Sequence, residues 1–143
     1  MQHYPVRINY LLNAPAEKVW QAITNKEAMK EWYFDIPDFE MEIGRVFNFY
    51  EPGEKKQYHH RCEILDIIPH KRLKHTWTHP THSNAVTEVI WELVVEEGNK
   101  TRVFLTHDGL EKLIDAGPDF TRENYLSGWH QIVGESLKNF VEK

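Results

Sequence analysis

The chain carries nine histidines and 22 acidic side chains among 143 residues, so proton transfer and metal binding are the first chemistries to weigh. A neutral imidazole, with an ordinary pKa near ~6.5, can move a proton or hydrogen-bond a ligand close to neutrality. His75 and His79 stand either side of Trp77, and His107 adjoins Asp108. In a partly dry cavity such a histidine, aided by Asp108 or Glu63, could act as a general acid or base. His79, His82, His107 and Asp108 would suit zinc if the fold brought them to one place. Against a metal, His79 and His82 flank a Pro80 turn with no ligand signature spanning them. His59 and His60, adjacent on a strand, point to opposite faces and cannot chelate one ion together. No nucleophile elbow, phosphate loop or paired-carboxylate motif accompanies the histidines. No metal and no cofactor are expected, and the reading leans away from an enzyme.

These side chains need a frame. Val6, Ile8, Tyr10 and Leu12 alternate with Arg7, Asn9 and Leu11, the period of a strand over Arg7 to Leu12 with one better-buried face. Asn13-Ala14-Pro15 ends it; Pro15 suits the first position of a helix, and Glu17 the first turn, where the helix dipole favours an acid. Val19, Trp20 and Ile23 give that helix its apolar side. Asn25 can cap a second short helix, whose inner face is Ala28, Met29, Trp32 and Tyr33. From Phe39 to Asp108 the pattern turns to strands, at 39–43, 45–51, 57–68, 72–79, 86–96 and 100–108, separated by turn residues. Links this short imply sequential antiparallel hairpins. Leu126, Trp129, Val133, Leu137 and Phe140 then mark an amphipathic helix over about 119–142. A sheet with one long helix to cover it must curl around that helix, which leaves space between them.

Alternation assigns the faces. Leu73, His75, Trp77 and His79 share one inner face; Val89, Trp91, Leu93 and Val95 share another; Thr101, Val103, Leu105 and His107 share a third. A hairpin turning at Glu97 to Asn99 sets Val89 opposite His107 and Trp91 opposite Leu105. His79, His82 and His107 then belong to one end of the sheet, where the long helix starts with Tyr125 and Trp129 facing in. Five Trp, six Tyr and seven Phe suit a thick core or a cavity wall. Inner-face tryptophans more often fill a core than line a ligand box, and an inner-face His75 is more often a hydrogen-bonded core residue than a catalyst.

A chain of this length makes one domain, 1–143, burying roughly two thirds of its unfolded surface. Cys62, as the sole cysteine, excludes an internal disulfide and the CxxC zinc ribbons. The formal net charge of −5, with 17 scattered basic residues, argues against nucleic acid, which needs a concentrated positive face. No segment approaches the ~20 apolar residues of a membrane span, and no signal-like run follows Met1. A cytoplasmic protein without membrane insertion is expected.

NAPAEKVWQAITNKEAMKEWYFD at 13–35, EILDIIPHKRLKHTW at 63–77, TRVFLTHDGL at 101–110 and GWHQIVGESLKNFVE at 128–142 resemble, in that order, the helix-grip (SRPBCC) superfamily of lipid-transfer START domains and the birch-pollen allergen fold. They are most similar to its branch related to the C-terminal domain of the activator of the 90-kDa heat-shock-protein ATPase. Lys26 stands where that branch commonly has proline, and YHHRC at 58–62 has no counterpart in it, so no subfamily substrate carries over. The resemblance implies an α+β helix-grip fold: a curved antiparallel sheet wrapped around a long C-terminal helix, with two short helices after the first strand. It implies a cavity for a small, mostly apolar, aromatic or lipid-like ligand and a stress-related role. Superfamily cyclases and dehydratases imply the acid–base alternative. The branch name implies a co-chaperone-like interaction module, although full co-chaperones carry a further N-terminal domain that this sequence lacks. On this reading Trp77, Trp91, Tyr125 and Trp129 form the apolar wall, Trp32 and Phe34 stand near its entrance, and His75, His79 and His107 make polar contacts. A monomer and a homodimer both fit.

Overall fold

The computed structural model describes residues 5–50, 59–113, 116–117 and 120–143. β1 (Val6–Leu12) turns Val6, Ile8 and Leu12 into the core. Pro15 stands just ahead of α1 (Ala16–Thr24) as its capping residue, one position earlier than expected, and its carbonyl accepts from the Val19 N–H at 3.1 Å. The Asn25 side chain caps α2 (Lys26–Trp32) by accepting from the Ala28 N–H. Trp32 Nε1 donates to the Ala22 carbonyl at 2.7 Å, tying the two helices together.

Five strands follow: β2 (Val46–Tyr50), β3 (His59–Ile68), β4 (Arg72–Trp77), β5 (Thr87–Glu96) and β6 (Lys100–Asp108). They form a meander, and β1 joins its far edge, so the antiparallel sheet runs β1-β6-β5-β4-β3-β2. Val89 pairs with His107 and Trp91 with Leu105, the register the short hairpin demands. On β3 the register shifts between Ile64 and Asp66; such a bulge bends its strand and lets the sheet curve.

The strand expected at 39–43 does not form. Asp38 instead accepts from the backbone N–H of Asn48 at 3.1 Å and from its side-chain amide at 3.1 Å, holding the segment as a folded loop against β2. Phe39 is buried there while Ile43 is 61% exposed, so the alternation finds no continuous cover. Val95, expected on the inner face, is 68% exposed because β5 outruns the core. Positions 51, 57, 58 and 119 of the expected elements lie outside the described residues.

The C-terminal helix starts at Thr121, whose side chain accepts from the Asn124 N–H. It runs as α3 (Arg122–Gln131), widens to a π-helical turn over Ile132–Leu137 and ends as α4 (Lys138–Val141). The π turn departs from the regular α-helix expected. Within it, Gly134 lies under the Tyr10 ring of β1, where a Cβ would come within 2.5 Å of the Tyr10 Cζ. Trp129, Val133, Leu137 and Val141 face the sheet and are buried. No described helix is long and apolar enough to cross a membrane.

Candidate functional site

Between the sheet and the first half of the C-terminal helix lies a pocket of about 320 Å³. β3 and β4, with the residues just past β4, supply His60, Trp77 and His79; the helix supplies Asn124, Tyr125, Gly128, Trp129 and Ile132; Phe34 and Phe120 complete the lining. The helical members recur at three and four because only those spacings stack on one face. His60 reaches the pocket because β3 alternates: His60, Cys62 and Ile64 are buried while Arg61 and Glu63 are exposed. Phe49 stacks on the His60 ring with centroids 4.5 Å apart.

Behind and beside this pocket, three indole N–H groups each end on an imidazole nitrogen. Trp77 Nε1 donates to His79 Nε2 at 3.2 Å, Trp91 Nε1 to His75 Nε2 at 3.4 Å and Trp129 Nε1 to His107 Nδ1 at 3.1 Å. An indole only donates, so each receiving nitrogen is unprotonated and the network assigns the tautomers. His75 Nδ1–H donates to the Thr76 carbonyl at 2.8 Å. His107 Nε2–H donates to the Thr87 hydroxyl at 2.8 Å, which passes its own hydrogen to the Trp77 carbonyl at 2.7 Å. His79 therefore carries its proton on Nδ1, a buried atom without a hydrogen bond of good geometry.

Burial keeps all three rings neutral. It pushes His75 down to about 4, opposed in part by the Thr76 carbonyl. Burial likewise takes His79 down to about 4, opposed by the nearby His59 carbonyl and reinforced by the neighbouring His82 and His59. His107 falls well below its ordinary value through burial and then through His75, His79 and His60. Tyr125 Oη lies 2.5 Å from His79 Nε2, so a phenol and a neutral imidazole meet at the pocket wall. Burial also pushes the Cys62 thiol up, which leaves it a poor nucleophile. Among the described residues no cluster of His, Cys, Asp or Glu is arranged to hold a metal ion.

Of the residues singled out by sequence, Phe34, Trp77, His79, Tyr125 and Trp129 come together at this pocket. Trp32, His75 and Trp91 do not: they pack with Ile23, Met29, Phe39 and Phe47 around a gap of about 10 Å³, room for no more than a water. His107, fully buried, stands behind Trp129 and Tyr125, with both nitrogens occupied. Sequence reasoning passed over His60, Phe120, Asn124, Gly128 and Ile132. Strand alternation signals the first, and helical spacing from Tyr125 and Trp129 signals Gly128 and Ile132.

The family model described as "Activator of Hsp90 ATPase homolog 1-like protein" matches residues 13–142. The chain belongs to that family. Solved structures agree with an Hsp90-ATPase-activator-like fold. Protein BH1534 from Bacillus halodurans is 28% identical, with 99% of this chain and 100% of that one covered at a TM-score of 0.76. CalU16 from Micromonospora echinospora is 22% identical over 97% of this chain and 76% of its own, at a TM-score of 0.74. The Aha1 dimer from Colwellia psychrerythraea is 23% identical over 97% and 96% of the two chains, at 0.70. No curated protein matches the sequence significantly.

Proposed function

We propose that this chain binds one small, mostly apolar ligand, in the cytoplasm, in the pocket between the sheet and the C-terminal helix. The pocket itself carries the reading. Its volume of about 320 Å³ reaches the roughly 300 Å³ at which small-molecule sites begin. Rings line both walls, with a few hydrogen-bonding side chains among them, the composition such sites share. Titration with anilinonaphthalene sulfonate, followed by dye emission, tests it. Saturation at one dye per chain, lost in Ile132→Trp with circular dichroism unchanged, is the expected result. Non-saturable emission, or a response indifferent to Ile132→Trp, removes the proposal.

The contact of Tyr125 with His79 favours acid–base chemistry as a second reading. With its hydrogen directed to His79 Nε2, Tyr125 Oη would turn a lone pair to the ligand and relay the ligand's proton through that hydrogen bond, the imidazolium forming only transiently because burial disfavours it. Tyr125→Phe should then bind the same ligand and fail to turn it over; unaltered turnover would exclude this role. Self-association finds support in the Colwellia neighbour, itself an Aha1 dimer, and light scattering of the purified chain distinguishes a dimer from a monomer.

A further inference from the structure

Glycine is the poorest helix former after proline, yet the C-terminal helix holds two. Gly134 is required by the Tyr10 ring pressed against it. Gly128 has no such reason: a Cβ there would meet no atom within 4 Å. It lines the pocket instead, with Asn124 and Tyr125 one turn before it and Ile132 one turn after. The π turn begins at Ile132, whose own N–H is still shared between the Gly128 and Trp129 carbonyls. The helical wall of the pocket is therefore bare backbone at its centre. On the same lining Trp77 and Trp129 pack against each other, their ring centroids 5.3 Å apart.

We propose that Gly128 is the specificity-determining residue of this pocket, keeping the helical wall flat so that a planar aromatic ring with a hydroxyl or carbonyl edge lies against the helix at Gly128. The inference rests on the ligand-binding reading above and names the class of ligand. About 320 Å³ equals the liquid volume of about ten waters, room for a compact bicyclic molecule. Flat rings on the sheet side favour offset or edge-to-face contact with another ring. His60, Asn124 and Tyr125 are the polar side chains that a polar edge would meet. An alkyl chain offers no group to match them and would set polar side chains against carbon.

Titration of 7-hydroxycoumarin and of laurate into the wild type, Gly128→Ala and Gly128→Leu, read by tryptophan quenching, tests this. Coumarin should bind the wild type saturably and at least tenfold more tightly than laurate. Gly128→Ala should weaken coumarin about tenfold and Gly128→Leu about a hundredfold, the range for one to a few carbons in a filled site. Gly128→Ala should also melt about 3 °C higher, since the new methyl meets no clash and helix propensity improves. Tighter binding of laurate, or equal coumarin affinity in Gly128→Ala and the wild type, overturns the inference while leaving a ligand pocket in place. Binding of neither probe overturns both.

Discussion

Each of the three buried imidazoles must stay neutral to accept an indole N–H, so acid should loosen this protein well above the range where carboxylates titrate. His75 falls from an ordinary 6.5 to about 4 in the folded chain. A histidine depressed in this way contributes stability that is fully present above pH 6.5 and is lost as pH falls through the window down to about 4. At pH 5, ~1.5 units into that window and at ~1.36 kcal/mol per unit, the loss is about 2 kcal/mol. His79 moves to the same value but borders the pocket, where water screens it, so ~1 kcal/mol is a fair share. His107, also depressed by burial, adds to the loss in the same direction. His75 and His79 together remove about 3 kcal/mol between pH 7 and 5, and His107 adds to that, a large part of the stability of a small domain. Glu142 does not contribute there, because its lowered pKa puts its loss at still lower pH. Urea denaturation from pH 7 to 5, followed by tryptophan emission, reads the effect directly. His75→Gln retains an acceptor for Trp91 and should flatten the slope by about one proton. A stability that changes by less than about 1 kcal/mol over that range would refute the neutral network.

Trp129→Phe keeps an aromatic ring but strips His107 Nδ1 of its donor at 3.1 Å and leaves a small void, and urea denaturation at pH 7.5 should show a loss of at least about 1–3 kcal/mol. Gly134→Ala should destabilise by about 1–3 kcal/mol despite alanine's better helix propensity, because the added carbon collides with Tyr10. Thermal melting measures it, and an unchanged or higher Tm contradicts the packing. Asn25→Ala removes the cap on Ala28 and should cost about 1 kcal/mol in the same assay.

The β5–β6 register was legible because a link as short as Glu97-Gly98-Asn99, with Gly98 and Asn99 both at positive φ, leaves one pairing that keeps Trp91 and His107 inside. The loop at 39–43 was not, since the alternation of Phe39, Met41 and Ile43 reads as a strand until Asp38 takes the Asn48 N–H. Within the π turn, Gly134 meets Tyr10 from the opposite end of the chain, a contact no local pattern announces. Half of the site was legible for a similar reason. Alternation puts His75, Trp77 and His79 in one line, but it does not say where the C-terminal helix crosses. That helix leaves space over Trp77 and His79, while Ile23, Met29 and Trp32 close over His75.

The five tryptophans offer the most direct test of ligand binding between sheet and helix. In a 15N-edited NMR titration with 7-hydroxycoumarin, the account predicts that the indole N–H signals of Trp77 and Trp129 shift saturably. The signal of Trp32, whose N–H is held by the Ala22 carbonyl, should stay in place. Shifts at Trp32 and Trp91 with none at Trp77 and Trp129, or no shift at any indole, would contradict it.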